Sequence, residues 1–160
     1  IFAFIALILL FGTTITPIGS AGTHLFIIVS LSMKDAEKGE VLWKQDDWAL
    51  DEDAEKRVDF PKDMLKCKAI GREIVFFSKH AIEDFAIIQR MTMHGQVIEH
   101  LVYKFGFVIP GSTNSWDHII DADEGNVMPA EVLSGNLIVE TFFLKGEDCF
   151  AKTKYRIFYQ

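Results

Sequence analysis

The stretch FGFVIPGSTNSW, residues 105–116, decides how this chain is organised, because a strand-like run breaks off inside it. Phe105 to Ile109 is mostly apolar and rich in residues that favour β-strands. Pro110 follows, and because its ring nitrogen carries no hydrogen it cannot donate to a sheet ladder. We therefore predict that a strand ends here and that a turn begins at once.

The segment after this turn, NSWDHIIDA, predicts a short helix. Asn114 or Ser115 can cap its first turn through a side-chain oxygen. Trp116, Ile119 and Ile120 then fall at positions i, i+3 and i+4, which share one face of a helix. This apolar face predicts contact between the helix and the interior of the protein.

Outward from this point, the chain consists largely of short strand-like runs separated by turn signals. The dipeptide at residues 94–95, His-Gly, predicts a hairpin, and the Lys-Gly-Glu-Asp turn at 145–148 predicts another between the last two strands. Residues 64–76 predict a further strand, and the charged segment 45–57 predicts a loop. Short strands at such intervals are typical of an all-β sandwich.

Residues 1–24 differ in composition from the rest of the chain. The run IFAFIALILLF is shorter than the roughly 20 apolar residues that span a bilayer. It suits the apolar centre of a secretory signal, with small residues at Ser20 and Ala21. A signal or membrane anchor, an error in the gene model and a native cytosolic segment all stay open. We expect residues 25–160 to form one domain.

Composition and motifs argue against several classes of function. The formal net charge of −7 disfavours a nucleic-acid partner, which would require a basic surface. The two cysteines, Cys67 and Cys149, are far apart in sequence and predict free thiols. The acidic run from Asp121 has Val132 where a calcium loop needs its glutamate, and the histidines lack zinc-site spacing. We therefore expect neither catalysis nor a cofactor or metal.

The predicted interior is rich in aromatic and long aliphatic side chains. In the last strand Tyr155, Ile157 and Tyr159 alternate with Lys154, Arg156 and Phe158, so one face is apolar with phenolic tips. Two such sheets either pack directly on each other or enclose a lipid chain, and composition leaves both possibilities open.

Five motifs carry a resemblance to a known family: KDAEKGEVLWK, LKCKAIGRE, GFVIPGSTNSW, MPAEVLSGN and RIFY, in that order. From Met33 to Tyr159 the chain resembles the prenyl-binding family typified by the delta subunit of rod cGMP phosphodiesterase. The resemblance implies an immunoglobulin-like β-sandwich that holds a farnesyl or geranylgeranyl chain between its sheets.

The resemblance also implies a function and partners. Such proteins are not enzymes but carriers, which bind prenylated small GTPases and other prenylated proteins and move them through the cytosol between membranes. Arf-like GTPases in the GTP state trigger release of the cargo. We accordingly expect a cytoplasmic, in some cells ciliary, monomer that exchanges cargo with membranes.

Matching positions imply the pocket residues. Three polar residues are expected near the entrance, where they would meet the modified C-terminus of the cargo: Arg72, Gln89 and Glu99. Trp116 is expected to roof part of the cavity. The remaining tunnel residues are Met33, Trp43, Leu65, Ile70, Ile120, Met128, Val139, Ile157 and Tyr159.

Three positions depart from the family pattern and leave the preferred chain length open. Leu101 stands where an aromatic residue is usual, Tyr155 replaces a smaller aliphatic residue, and Val127 replaces a methionine. Two other functions are weighed against prenyl carriage. One is a carrier of myristoylated cargo, as in the sister family. The other is a secreted or membrane-tethered β-sandwich, an interpretation that rests on residues 1–22 alone.

Overall fold

The computed structural model describes residues 25–50, 54–122 and 127–160. Within them the chain forms nine β-strands, one 3-10 helix and one short α-helix. The strands are β1 (Phe26–Asp35), β2 (Val41–Trp48), β3 (Glu55–Phe60), β4 (Ala69–Ser78), β5 (Ile82–Met93), β6 (Gln96–Val108), β7 (Ser112–Asp121), β8 (Leu137–Lys145) and β9 (Asp148–Tyr159). The helices are the 3-10 helix Lys62–Lys66 and α1 (Ala130–Leu133).

The strands form two sheets that pack face to face, so the predicted all-β sandwich is confirmed. The first sheet has the order β2-β1-β4-β7, and the second has the order β3-β9-β8-β5-β6. All neighbours are antiparallel except β3 and β9, which run parallel. The apolar residues of both inner faces form the core.

The two predicted hairpins are present. His94 and Gly95 join β5 to β6 with positive φ angles of 50° and 78°, the backbone that a two-residue type I′ turn requires. The turn at residues 146–147 joins β8 to β9. The strand that ends before Pro110 is also confirmed, since β6 stops at Val108.

The predicted helix after Pro110 is wrong, because Ser112–Asp121 is strand β7. It pairs with β4 without a break, from Ser78 opposite Ser112 to Ala69 opposite Asp121. Its side chains alternate, so Trp116 and Ile120 point inward while Ile119 is 61% exposed. The helical pattern misled because positions i and i+4 share a face in both a helix and a strand.

Two further segments differ from the sequence-based expectation. Residues 62–66 form the 3-10 helix rather than the start of a strand, and Cys67 follows it directly. The charged segment predicted as a loop contains the end of β2, and its Trp48 is buried in the core. Cys67 and Cys149 are free thiols, as predicted. None of the helices in the described ranges is long and apolar enough to cross a membrane.

Candidate functional site

Within the part of the chain that the structure describes, two small cavities lie between the sheets. The first, which we call the outer cavity, has a volume of about 70 Å³ and lies at the end of the sandwich covered by the 3-10 helix and α1. The second, the inner cavity, has a volume of about 30 Å³ and lies deeper between the sheets. Both are smaller than the roughly 300–1,000 Å³ of pockets that hold drug-sized ligands. A lipid chain could therefore enter only if lining side chains moved.

The outer cavity is lined mainly by flexible and aliphatic side chains. Three methionines contribute: Met33 from β1, Met64 from the 3-10 helix and Met91 from β5. Methionine has three rotatable bonds and fills irregular spaces, so this lining can rearrange at small cost. The other lining residues that are not shared with the inner cavity are Ile70, Ile120, Leu133, Leu137, Val139, Ile157 and Tyr159.

The inner cavity has a stiffer, more aromatic lining. Trp43 and Trp48 meet edge to face with ring centroids 6.3 Å apart, and Trp43 meets Phe60 in the same way at 5.0 Å. The indole N–H of Trp48 donates to the hydroxyl of Thr153 across the sandwich at 3.2 Å. Large rings fixed by such contacts cannot move as freely as methionine.

Five polar or phenolic side chains, Arg72, Gln89, Tyr103, His118 and Tyr155, form a polar belt inside this otherwise apolar space. Arg72 on β4 donates to the side-chain oxygen of Gln89 on β5 at 2.6 Å, which joins the two sheets. Gln89 donates in turn to the hydroxyl of Tyr155 on β9 at 3.4 Å. This chain of hydrogen bonds therefore crosses the sandwich. Arg72, Gln89 and Tyr155 line both cavities.

Arg72 is the electrostatic centre of the belt. Its side chain is almost fully buried, and burial lowers the pKa of its guanidinium. The guanidinium lies 4.7 Å from the ring centroid of Tyr103, a favourable cation–π contact. Within the described residues its Nε has no hydrogen-bond partner. A hydrogen-bond acceptor on a bound ligand would therefore stabilise this group.

His118 lies beside Arg72 and is held neutral. Its Nδ1 is 3.4 Å from the guanidinium and accepts from it, which places the imidazole proton on Nε2. Burial and the adjacent charge of Arg72 lower the pKa of His118 to about 3. The ring also packs against Tyr103 and Trp116, with centroids 4.3 and 4.5 Å away.

Glu99 is a buried carboxylate close to the belt. It lies on β6 opposite Met91, which lines the outer cavity. Burial raises the pKa of Tyr103, the charge of Glu99 raises it further, and the charge of Arg72 lowers it. Glu99 thus lies beside the outer cavity but outside its lining.

Nine of the thirteen predicted pocket residues line one or both cavities: Met33, Trp43, Ile70, Arg72, Gln89, Ile120, Val139, Ile157 and Tyr159.

The other four predicted residues lie outside the two linings. Leu65 and Met128 are half-buried near the covered end. Glu99 lies beside the outer cavity. Trp116 packs against Phe85 and Phe105 with centroids 5.7 and 5.2 Å away, so it belongs to the aromatic packing rather than to a cavity roof.

The structure also changes the position of two predicted entrance residues. Arg72 and Gln89 were expected at the mouth, but they are 4% and 3% exposed and lie where the two cavities meet. They would therefore contact a buried part of a bound chain rather than its exposed end.

Several lining residues were not predicted from the sequence. Met64 and Leu133 enter the outer cavity from the two short helices, and Trp48 enters the inner cavity from β2. His118 was missed because it was assigned to a helix. Strand alternation across residues 112–120 would have revealed it, since it falls in phase with Trp116 and Ile120.

No group of three or more His, Cys, Asp or Glu residues that could hold a metal ion occurs within residues 25–50, 54–122 and 127–160. A family model described as "GMP-PDE, delta subunit" matches residues 20–159, which is most of the chain.

Proposed function

The chain belongs to the GMP-PDE delta-subunit family, a family of prenyl-binding proteins, and on that premise we propose that it is a carrier for prenylated proteins. In this role it would take up the farnesyl or geranylgeranyl chain of a small GTPase or similar cargo and keep it in solution between membranes. The observation that carries the proposal is the apolar outer cavity between the sheets, with its three methionines.

Hydrophobic transfer makes such carriage thermodynamically balanced. Each buried methylene contributes about 0.8 kcal/mol, whether the surroundings are a bilayer or an apolar protein cavity. A prenyl chain can therefore pass from membrane to protein with little net change in free energy. Because the balance is close, a modest change in the cavity can shift the chain in either direction.

A carrier needs apolar space for the chain and also a means of orienting it, and we expect the polar belt to supply the second. Apolar contacts are nondirectional, whereas Arg72 places a buried charge at only one end of the outer cavity, where it meets the inner cavity. We expect this difference between the two ends of the outer cavity to set the direction in which the chain inserts.

Release by Arf-like GTPases in the GTP state belongs to the same proposal. A release factor lowers the affinity of the carrier for its cargo. By linkage, bound cargo lowers the affinity of the carrier for the release factor by the same factor. GTP-loaded Arf-like GTPase is expected to lower the affinity for a prenylated peptide, and the GDP form is expected to leave it unchanged. We also propose that the protein acts in the cytosol as a monomer.

The primary test compares a fluorescent peptide that carries a farnesylated, methyl-esterified C-terminal cysteine with its unmodified twin. Fluorescence anisotropy should detect saturable binding of the farnesylated peptide only. Equal binding of both peptides, or binding of neither, would remove the proposal. A myristoylated competitor that displaces the farnesylated peptide at lower concentration would favour the acyl-carrier alternative.

Neighbouring isoleucines supply a matched pair of variants for this assay. Ile120→Trp places a large ring in the outer cavity and should reduce affinity at least about tenfold, which corresponds to 1.4 kcal/mol. Ile119→Trp makes the same change on the exposed face of β7 and should bind like the unaltered protein. Equal losses in both variants would point to a binding site outside the cavity.

A further inference from the structure

The polar belt divides the interior into two compartments, and Tyr155 forms the dividing wall. Its ring lines both cavities, and within the described part of the chain only Met33, Phe60, Arg72 and Gln89 do the same. The residue is 8% exposed. A chain that filled the outer cavity could therefore reach the inner cavity only by passing among these five side chains, and the Tyr155 ring is one of the two aromatic rings there.

Several contacts fix Tyr155 in place. Its ring meets that of Trp48 edge to face with centroids 5.4 Å apart. Its hydroxyl accepts from Gln89, which is itself fixed by Arg72 at 2.6 Å. Its strand, β9, has a neighbour on both sides, so its backbone cannot swing away. Displacing the ring would break these contacts together.

The two compartments differ in how far they can expand. The outer cavity is larger and is lined by three methionines, which can adopt other rotamers. The inner cavity is less than half as large. It shares Met33 with the outer cavity, but Trp43, Trp48 and Phe60 in its lining are in edge-to-face contact. Forcing additional methylenes into such packing typically costs about 1–3 kcal/mol.

We propose that Tyr155 is a specificity-determining residue that limits the length of the isoprenoid chain, so that the protein prefers farnesyl over geranylgeranyl. This inference rests on the proposed prenyl-carrier function and adds a chain-length limit to it. The farnesyl chain ends against the Tyr155 ring. The additional isoprene unit of geranylgeranyl meets this ring and can be buried only by displacing packed side chains, which lowers affinity.

A binding series on the unaltered protein tests the inference first. Peptides identical except for a geranyl, farnesyl or geranylgeranyl group on the esterified cysteine are titrated by fluorescence anisotropy. Affinity should rise from geranyl to farnesyl and then fall at least about tenfold for geranylgeranyl. A continued rise to geranylgeranyl would overturn the inference.

Three variants then locate the limit. Tyr155→Val joins the two cavities and should bring the farnesyl-to-geranylgeranyl affinity ratio close to one. Tyr155→Phe keeps the ring and loses only the contact with Gln89, so it should retain the preference. Tyr159→Val makes the same truncation on the same face of β9, but only in the outer cavity, and should weaken both ligands by the same factor. Thermal unfolding checks that each variant is folded, and Tyr155→Ile replaces the valine variant if that one is not.

Each outcome separates this inference from the proposed function. An unchanged ratio in Tyr155→Val, or an equal change in Tyr159→Val, overturns the chain-length limit while prenyl binding stands. Binding that does not distinguish any prenylated peptide from the unmodified peptide overturns the proposed function, and the limit with it.

Discussion

The two ends of the sandwich interior are packed in opposite ways. At the end formed by the start of β1 and the end of β4, aromatic rings fill the space, and Phe26, Phe76 and Phe85 lie with centroids 5.2–5.6 Å apart. We call this the aromatic end; it also contains Phe105, Trp116, Phe143 and Phe150. At the opposite, cavity end, methionines and aliphatic residues surround about 70 Å³ of unfilled space.

The difference separates stability from binding. Interlocked rings bury much apolar area and fix the sheets relative to each other by filling the space between them. At the cavity end, the side chains beside the unfilled space make fewer van der Waals contacts, and the methionines among them can adopt other rotamers. The polar belt lies at the boundary and joins the sheets through Arg72 and Gln89. One end thus holds the fold while the other can change shape.

The largest expected effect is a difference in stability between two phenylalanine truncations. Phe85→Ala at the aromatic end removes a ring with five aromatic neighbours, and we expect a loss of about 3–5 kcal/mol. Phe60→Ala makes the same change beside both cavities, where the ring meets the rings of Trp43 and Tyr159, and should cost at least about 1 kcal/mol less. Urea unfolding measures both, and equal losses would mean that the ends are packed alike.

A smaller effect is expected at the boundary. Gln89→Leu removes the acceptor of a buried guanidinium and should destabilise the protein by about 2–3 kcal/mol. The double variant Arg72→Met with Gln89→Leu replaces both partners by apolar side chains and should unfold within about 1 kcal/mol of the unaltered protein. A double variant as unstable as the sum of its parts would show that the belt is not a coupled unit.

The smallest effect is a pH dependence at His118. Its folded pKa of about 3 lies below the ordinary 6.5, so acid protonates the unfolded chain first. The contribution of neutral His118 to the free energy of unfolding is therefore fully present above pH 6.5 and is lost as the pH falls toward 3. The loss amounts to about 1 kcal/mol between pH 7 and about 5.5. Arg72, Tyr103 and Trp116 face the ring and oppose its protonation or exclude water.

The control for this prediction is His118→Asn, which keeps a polar side chain but has no titrating ring. Urea unfolding at both pH values should show a smaller loss in the variant than in the unaltered protein. An identical loss would assign the pH dependence to groups other than His118.

Much of the fold could be predicted from local sequence. Pro110 ends a strand because it lacks an N–H, and His94-Gly95 makes a tight turn because both residues accept positive φ angles. These are properties of single residues, and tertiary contacts did not alter them. The predicted helix failed for the opposite reason. Trp116 and Ile120 satisfy both periods, and only pairing with β4 decided between them.

The candidate site, like the fold, has features that the sequence predicts and features that depend on tertiary contacts. The sequence determined the family, the two-sheet architecture and most of the residues that face the interior, because strand alternation and short motifs are local properties. Only the tertiary structure decided that Arg72 and Gln89 lie between two cavities, that His118 contacts Arg72, and that Tyr155 lines both cavities. Those relations depend on how side chains from β4, β5, β7 and β9 meet across the sandwich, and spacing along the chain does not encode that distance.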